Sequence, residues 1–492
     1  MLLLGIDVGT SSVKVSVTDA QTRLCVASGQ FPEDTESGII SVQTGWAEQS
    51  PDMWWQHVKQ AILKANATGK YNPRDIGAIG IAYQMHGLVL VDEQQQVLRN
   101  SIIWCDSRAV DIGNKALQAI GEERALSHLL NSPGNFTASK LAWVKINESA
   151  VYQRIHSVML PGDFIAMKLT GEINTSIAAL SEGIFWDFKN NQLSEDVFTY
   201  FNFDKSFIPA VQPVFSAHGQ VKAEVAAELS LTTGIPVTYK AGDQPNNALS
   251  LNVMEPGEVA ATAGTSGVIY GVSDALTCDP QSRINTFAHV NYSKEAIRTG
   301  VLLCINGTGI LNRWIKNILG GSASYTAMNE AASVIPAGAE GLKVLPFGNG
   351  AERILNNKII GAQFQGIDLN MHTQGHLIRA AQEGIAFSFR YGLDIMRENG
   401  MNPKVIRAGR ANLFLSPVFA QAFVDATNTP VELYACDGSV GAAIGAGIGA
   451  GVYTSAKDAF SNAKPLQLIE PSAAAEYNVF YNEWKEILLK QL

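Results

Sequence analysis

The tightest constraint on this chain is a stretch that it carries twice. Residues 8–20 read VGTSSVKVSVTDA and residues 263–275 read AGTSGVIYGVSDA, with Gly, Thr, Ser, Val, Val, Asp and Ala in register. In the first copy an apolar run, 2–6, leads through Asp7 into a Gly-Thr-Ser-Ser turn and then an alternating segment, 13–17, which predicts a β-hairpin. Glycine lets the turn backbone approach a ligand, and the N–H groups with the Thr10, Ser11 and Ser12 hydroxyls offer donors to phosphate oxygens. Asp7 beside such a cradle is tolerable only with a cation between carboxylate and phosphate, so the segment suggests a metal–nucleotide site. Taken alone it fits an ordinary turn with an Asx cap equally well. The echo favours function: two similarly built halves, each with a phosphate-binding hairpin, could grip one polyphosphate from both sides.

A chain of 492 residues is too long for one core, and the halves are expected as domains 1–250 and 251–492. The net charge of −9 and the lack of any Lys/Arg run argue against nucleic acid as a partner. No apolar stretch approaches the roughly 20 residues of a membrane span, and the opening apolar run lacks a basic leader. The expected location is therefore the cytoplasm, with no membrane partner. Cys25, Cys105, Cys278, Cys304 and Cys436 are scattered, odd in number and without a CxxC pair, which fits reduced thiols and neither disulfides nor zinc.

Strand and helix patterns alternate through both halves, implying α/β layers. Apolar strands end in polar clusters, where open α/β sheets place their ligands: AYQMHG at 82–87, WCDSR at 104–108, AGDQPNN at 241–247 and GRAN at 409–412. A polar region, 30–49, precedes a helix at 51–65, and a small-residue helix is expected after residue 247. Further helices are expected at 220–229, 309–319 and 374–397, and a polar, aromatic middle spans 185–216. The Gly/Ala helix at 438–451 reads as a closely packed helix or as a backbone approach to nucleotide.

Asp243, at a strand end between the two hairpins, could act as a general base toward an alcohol held by the first half. An Asp after Gly is also an ordinary turn or helix N-cap residue. Several ordered stretches bear on the choice. Beyond DVGTSSVK, the segment FTASKLAWV at 136–144, with Thr137, Lys140 and Trp143, resembles the first signature of the FGGY family of carbohydrate kinases. AQFQGIDLNMHTQGHLIRAAQE at 362–383 is similar to its second, departing at Gln382.

The resemblance implies two actin-like ATPase domains of the ribonuclease-H-like type, flanking a catalytic cleft where MgATP meets a small-molecule sugar. It implies Asp243 as catalytic base, with Asp7 and Asp243 near Mg2+, and Thr10, Ser11, Ser12 and Lys14 on the phosphates. Lys14 stands where relatives have Arg, which keeps the charge and loses the two-pronged guanidinium. Gly264, Thr265 and Ser266 would form the second phosphate loop, and Gly309, Gly409 and Asn412 would border ribose and adenine. GRAN replaces the usual glycine run there, and Arg410 could stack on adenine or face solvent.

On the sugar side, QMHG at 84–87 resembles the branch of the family acting on ketoses such as D-xylulose, which implies Met85 and His86 at the substrate. Met85 is otherwise a core residue beside a satisfied His. Asn135 and Gln244 occupy substrate positions in relatives, and Asp106 could hold a substrate hydroxyl or simply ion-pair with Arg108. GDQPNN departs from that branch toward the polyol branch, which leaves another ketose or polyol, such as sedoheptulose, ribulose or a glycerol-like acceptor, as the alternative. An actin-like nucleotide switch that transfers no phosphate is a further alternative, though it needs no base aimed at an alcohol. The family resemblance also makes a homodimer an expectation.

Overall fold

A computed structural model describes residues 1–33, 38–319 and 324–492. Of the expected polar region 30–49, residues 34–37 lie outside the described residues. The first strand, Leu2–Val8, reads as a continuous apolar run because both its faces are covered: Leu3, Leu4, Ile6 and Val8 are fully buried. It forms the middle of a five-stranded sheet, ordered Val237–Gly242, Ile76–Tyr83, Leu2–Val8, Val13–Asp19 and Cys25–Phe31. The first three are parallel, and the last two are added by antiparallel pairing. A seven-stranded sheet repeats this plan with Thr299–Ile305, Gly267–Ser273, Val259–Ala263, Ile406–Gly409 and Val431–Tyr434, flanked by Asn285–Ala288 and Gln467–Ile469. The echo in sequence is thus an echo in topology.

The echo stops short of register. In the first hairpin Val8 pairs with Val13 and Asp7 with Lys14, whereas in the second Ala263 pairs with Gly267 and Thr262 with Val268. The second turn is therefore one residue tighter. The strand place of Asp7 is taken there by Thr262, whose Oγ1 accepts from Asn247 Nδ2 at 3.1 Å, so the carboxylate belongs to one hairpin only.

Helices start where the chain supplies caps. Pro51–Ala67 opens on Ser50, whose hydroxyl accepts from Met53 N, with proline in the first turn, and it buries Trp54, Val58 and Ile62 against the first sheet. Full burial of a large apolar side chain is worth roughly 1.5–3 kcal/mol. The expected 220–229 helix forms only over Ala223–Leu229, because Val221 N donates to Ile235 O, outside any helix. The 185–216 region holds a small hairpin, Trp186–Asp187 with Gln192–Leu193, and a Ser194-capped helix, Glu195–Phe201. The helix expected after residue 247 starts four residues earlier, at Asp243, because Pro245 suits a first turn whose N–H groups need no partner.

The Gly438–Gly449 helix comes from the second half of the chain and packs on the first sheet. Its backbone reaches the strands directly. A Cβ built on Gly5 would lie 1.8 Å from Ser439 O, and one on Gly80 2.0 Å from Ala442 O. Cross-links reinforce the contact: Ser16 Oγ meets Ser439 Oγ at 2.7 Å, Asn246 Nδ2 donates to Gly438 O at 2.9 Å, and Lys14 ion-pairs with Asp437. Among the described residues no helix is long and apolar enough to cross a membrane.

Candidate active site

Two cavities flank the second hairpin turn. One, of about 380 Å³, is walled by Gly264, Thr265, Gly309 and Asn412, with Asn312, Arg313 and Leu415. The other, of about 570 Å³, lies between the halves and takes Thr10, Met85, His86, Asn135, Asp243 and Gln244 from the first and Ser266 from the second. Consecutive residues, Thr265 and Ser266, thus face different cavities, and their turn is the partition between them.

The first hairpin turn is held rigidly. Gly9 N donates to Ser12 O at 3.1 Å. Gln49 Nε2 donates to Thr10 O at 2.7 Å, Trp104 Nε1 to Thr10 Oγ1 at 3.0 Å, and Thr10 Oγ1 to Gln84 Oε1 at 3.3 Å. Gln84 is therefore a brace behind the turn. Ser11 and Ser12 sit on the turn itself, where Ser12 Oγ accepts from Gln30 Nε2 at 3.2 Å. In the second turn Gly309 N donates to Gly264 O at 3.0 Å, and a Cβ on Gly309 would strike that oxygen at 2.3 Å.

Asp243 is the first residue of its helix, and burial, with the Asp7 charge adding, raises its carboxyl to about 7. Burial and Asp437 raise the Asp7 carboxyl to about 6 while Lys14 works against them. A Cβ on Gly438 would lie 2.3 Å from Asp7 Oδ2, so the interface helix begins against this carboxylate. Two half-buried carboxylates, the Asp7 charge raising the proton affinity of Asp243, beside two phosphate-sized turns suit a divalent cation. Among the described residues no group of three or more His, Cys, Asp or Glu side chains could hold a metal ion, so any cation here shares its shell with ligand oxygens.

His86 adopts a left-handed backbone, φ 64°, rare for a non-glycine residue. Its peptide is clamped at both ends. His86 N donates to Glu182 Oε1 at 2.7 Å, and Lys140 Nζ donates to His86 O at 2.8 Å and to Ile103 O at 3.0 Å. Burial pulls the Lys140 ammonium down to about 7 and holds the Glu182 carboxyl well above its usual range. Burial also keeps the His86 imidazole neutral, well below its usual value.

The other sequence-derived residues lie elsewhere. Asp106 is 1 % exposed and its oxygens are taken by Arg108 and by Ala47 N at 2.6 Å, so it is tied into an ion pair and is not on the cavity wall. Arg108 is itself sandwiched, with Cζ 3.9 Å from the Trp46 ring centroid and 4.8 Å from that of Trp143. Gly409 backs onto Cys436, 3.3 Å from a built Cβ, and is off the wall of the 380 Å³ cavity. Arg410 is exposed, while Asn412 takes a left-handed φ of 54° where a glycine run was the pattern. Glu182 and Arg353 were missed by sequence reasoning. Glu182 had a local signal, a lone acid inside the apolar run 177–186, whereas Arg353 had none.

Residues 2–250 match the FGGY family of carbohydrate kinases, N-terminal domain, and residues 259–452 match the C-terminal domain of the same family. The chain belongs to the FGGY family of carbohydrate kinases. Curated relatives include the xylulose kinase of Escherichia coli, 28% identical over 90% of this chain and 88% of that one. The xylulose kinase of Lactococcus lactis is 28% identical over 99% and 96%. The crystal structure of xylulose kinase from Rhodospirillum rubrum superposes with a TM-score of 0.87 at 27% identity, covering 100% of this chain and 99% of that chain. The fold is accordingly the two-domain ribonuclease-H-like, actin-like ATPase fold. As an FGGY kinase the protein is a phosphotransferase that uses ATP and acts on a sugar hydroxyl.

Proposed function

We propose that this FGGY kinase transfers the γ-phosphoryl group of MgATP to a primary hydroxyl of D-xylulose, giving D-xylulose 5-phosphate. The observation that carries the reading is the partition. A nucleotide lying on Gly264 and Thr265 would extend its phosphates over Ser266 into the cavity that holds Asp243 and Thr10. Asp243 takes the proton of the accepting hydroxyl, and Thr10 Oγ1, fixed by Trp104 and Gln84, offers a preorganised contact to the transferred group. His86 and Met85 orient the sugar from the clamped loop. Curated relatives named xylulose kinases at 27–28% identity support the substrate. A coupled ADP-release assay over ketoses and polyols tests it: D-xylulose is expected among the best acceptors, and a poor rate with D-xylulose beside a good rate with another sugar overturns it.

Asp7 and Asp243 would hold the magnesium ion, which when bound neutralises phosphate charge. Asp7→Asn is expected to raise the magnesium concentration needed for half-maximal rate by about 10–100-fold, with melting temperature not lowered. An unaltered magnesium dependence would return Asp7 to a purely structural role. The five free thiols fit a reducing cytoplasm, and assembly as a homodimer belongs to the same proposal, readable by light scattering.

A further inference from the structure

Arg353 belongs to the second half, yet its side chain lines the cavity that contains Asp243. Among the described residues no carboxylate and no hydrogen-bond acceptor pairs with its guanidinium; it lies near the Phe136 ring, 5.9 Å from Cζ, and close enough to Cys304 to interact with it electrostatically. The other cations around the cavity are already engaged: Lys140 by two carbonyls, Arg108 by Asp106 and Glu48. Glu352, the acid next to Arg353, is also taken, accepting from Asn306 N and Gly307 N at 2.9 Å each.

Two further polar atoms on the same wall are buried without a hydrogen bond, Asn135 Oδ1 and His86 Nδ1, the latter 3.9 Å from Glu182 Oε1. The His86 ring packs edge-on against Phe136, with centroids 4.8 Å apart, so His86 and Arg353 flank one aromatic ring, and Asn135 lines the same cavity. A guanidinium only donates, an amide oxygen only accepts, and a neutral imidazole nitrogen does either. Buried groups left in this state are costly in a protein that holds no ligand for them. A polyhydroxylated molecule, which both donates and accepts along its length, satisfies all three at once.

We infer that Arg353 is an acceptor-specificity residue, contributed by the nucleotide-binding half to a sugar held mainly by the first, and that it reads sugar oxygens together with Asn135 and His86. The placement has a consequence for communication. Glu352 fixes the 306–307 turn, and the same turn leads to Gly309, which is bonded to the second phosphate loop. A sugar that engages Arg353 therefore bears directly on the element that holds the nucleotide.

The inference rests on the reading of this cavity as the acceptor site, and the test uses whichever sugar proves the best substrate. Arg353→Ala is expected to raise the KM for that sugar by about 10–100-fold and to leave the KM for ATP nearly unchanged, with Arg353→Lys recovering part of the loss. Deoxy analogues supply a readout that a structural role would not move. The parent enzyme should discriminate against loss of the hydroxyl that Arg353 reads, and Arg353→Ala should not. Equal rises in both KM values, or an unchanged deoxy profile, overturn the assignment. If Arg353→Ala is unstable, Arg353→Lys and Arg353→Gln, checked for parental melting, carry the same comparison. Failure of every sugar in the panel would instead remove the acceptor-site reading itself.

Discussion

Asp243→Asn is expected to lower turnover by about 100- to 10,000-fold while ATP binding is largely kept. The substitution preserves shape and hydrogen-bonding capacity at the helix start and removes only the ability to accept a proton. Because burial raises the Asp243 carboxyl to about 7, kcat/KM for the parent should climb as pH rises through that value, since the base works only when ionised. The same shift has a stability side of opposite sign. A carboxyl whose folded pKa lies above its unfolded value favours folding below the unfolded value, and that contribution is lost as pH rises through about 7. Ionised Asp243 therefore destabilises the ligand-free fold at pH 8, by up to roughly 4 kcal/mol. Asp243→Asn should melt higher than the parent at pH 8, with the difference shrinking as pH falls toward 4, even as it loses turnover. Preserved turnover would remove Asp243 from the chemistry. A lower melting temperature at pH 8 would show that its charge is compensated within the fold.

What the sequence made legible was what depends on local chemistry. The paired hairpins and the polar strand ends follow from residue types at short spacings, Asp243 is singled out by the family resemblance, and the structure gathers Thr10, Met85, His86, Asn135, Asp243, Gln244 and Ser266 on one cavity. What it hid depends on contacts between distant segments. The clamp on His86 joins Glu182 and Lys140 to the 84–87 loop through backbone hydrogen bonds that no spacing announces. Arg353 lies in a stretch without periodicity and matters only because the 353–355 turn abuts the first half. Asp106 reads as a strand-end ligand residue, but Arg108, packed between Trp46 and Trp143, captures it. Asn412 closes the GRAN turn in a left-handed backbone, φ 54°, which an asparagine tolerates.

Gly80→Val is expected to be the most damaging substitution outside the site, because it falls where the two halves are locked together. Gly80 lies in the middle of the parallel strand Ile76–Tyr83, and its missing side chain is what lets the Gly438–Gly449 helix sit with Ala442 O only 2.0 Å from where a Cβ would be. Gly5, on the adjacent strand and paired with Gly80 in register, does the same for Ser439 O at 1.8 Å. Both obstructing atoms are backbone, so no rotamer change relieves them, and the helix must lift from the sheet. Lifting it would also move Gly438 away from Asp7 and break the bond between Ser16 and Ser439. Overpacking of this kind costs roughly 3 kcal/mol or more, read as a large fall in melting temperature and new protease cleavage near residues 438–449. Gly69→Asn, at a left-handed turn with nothing within 4 Å of a built Cβ, is the control and should melt like the parent. If Gly80→Val also melts like the parent, the helix does not rest on the sheet in solution. The link from Asp7 through Gly438 to the second half would then be lost with it.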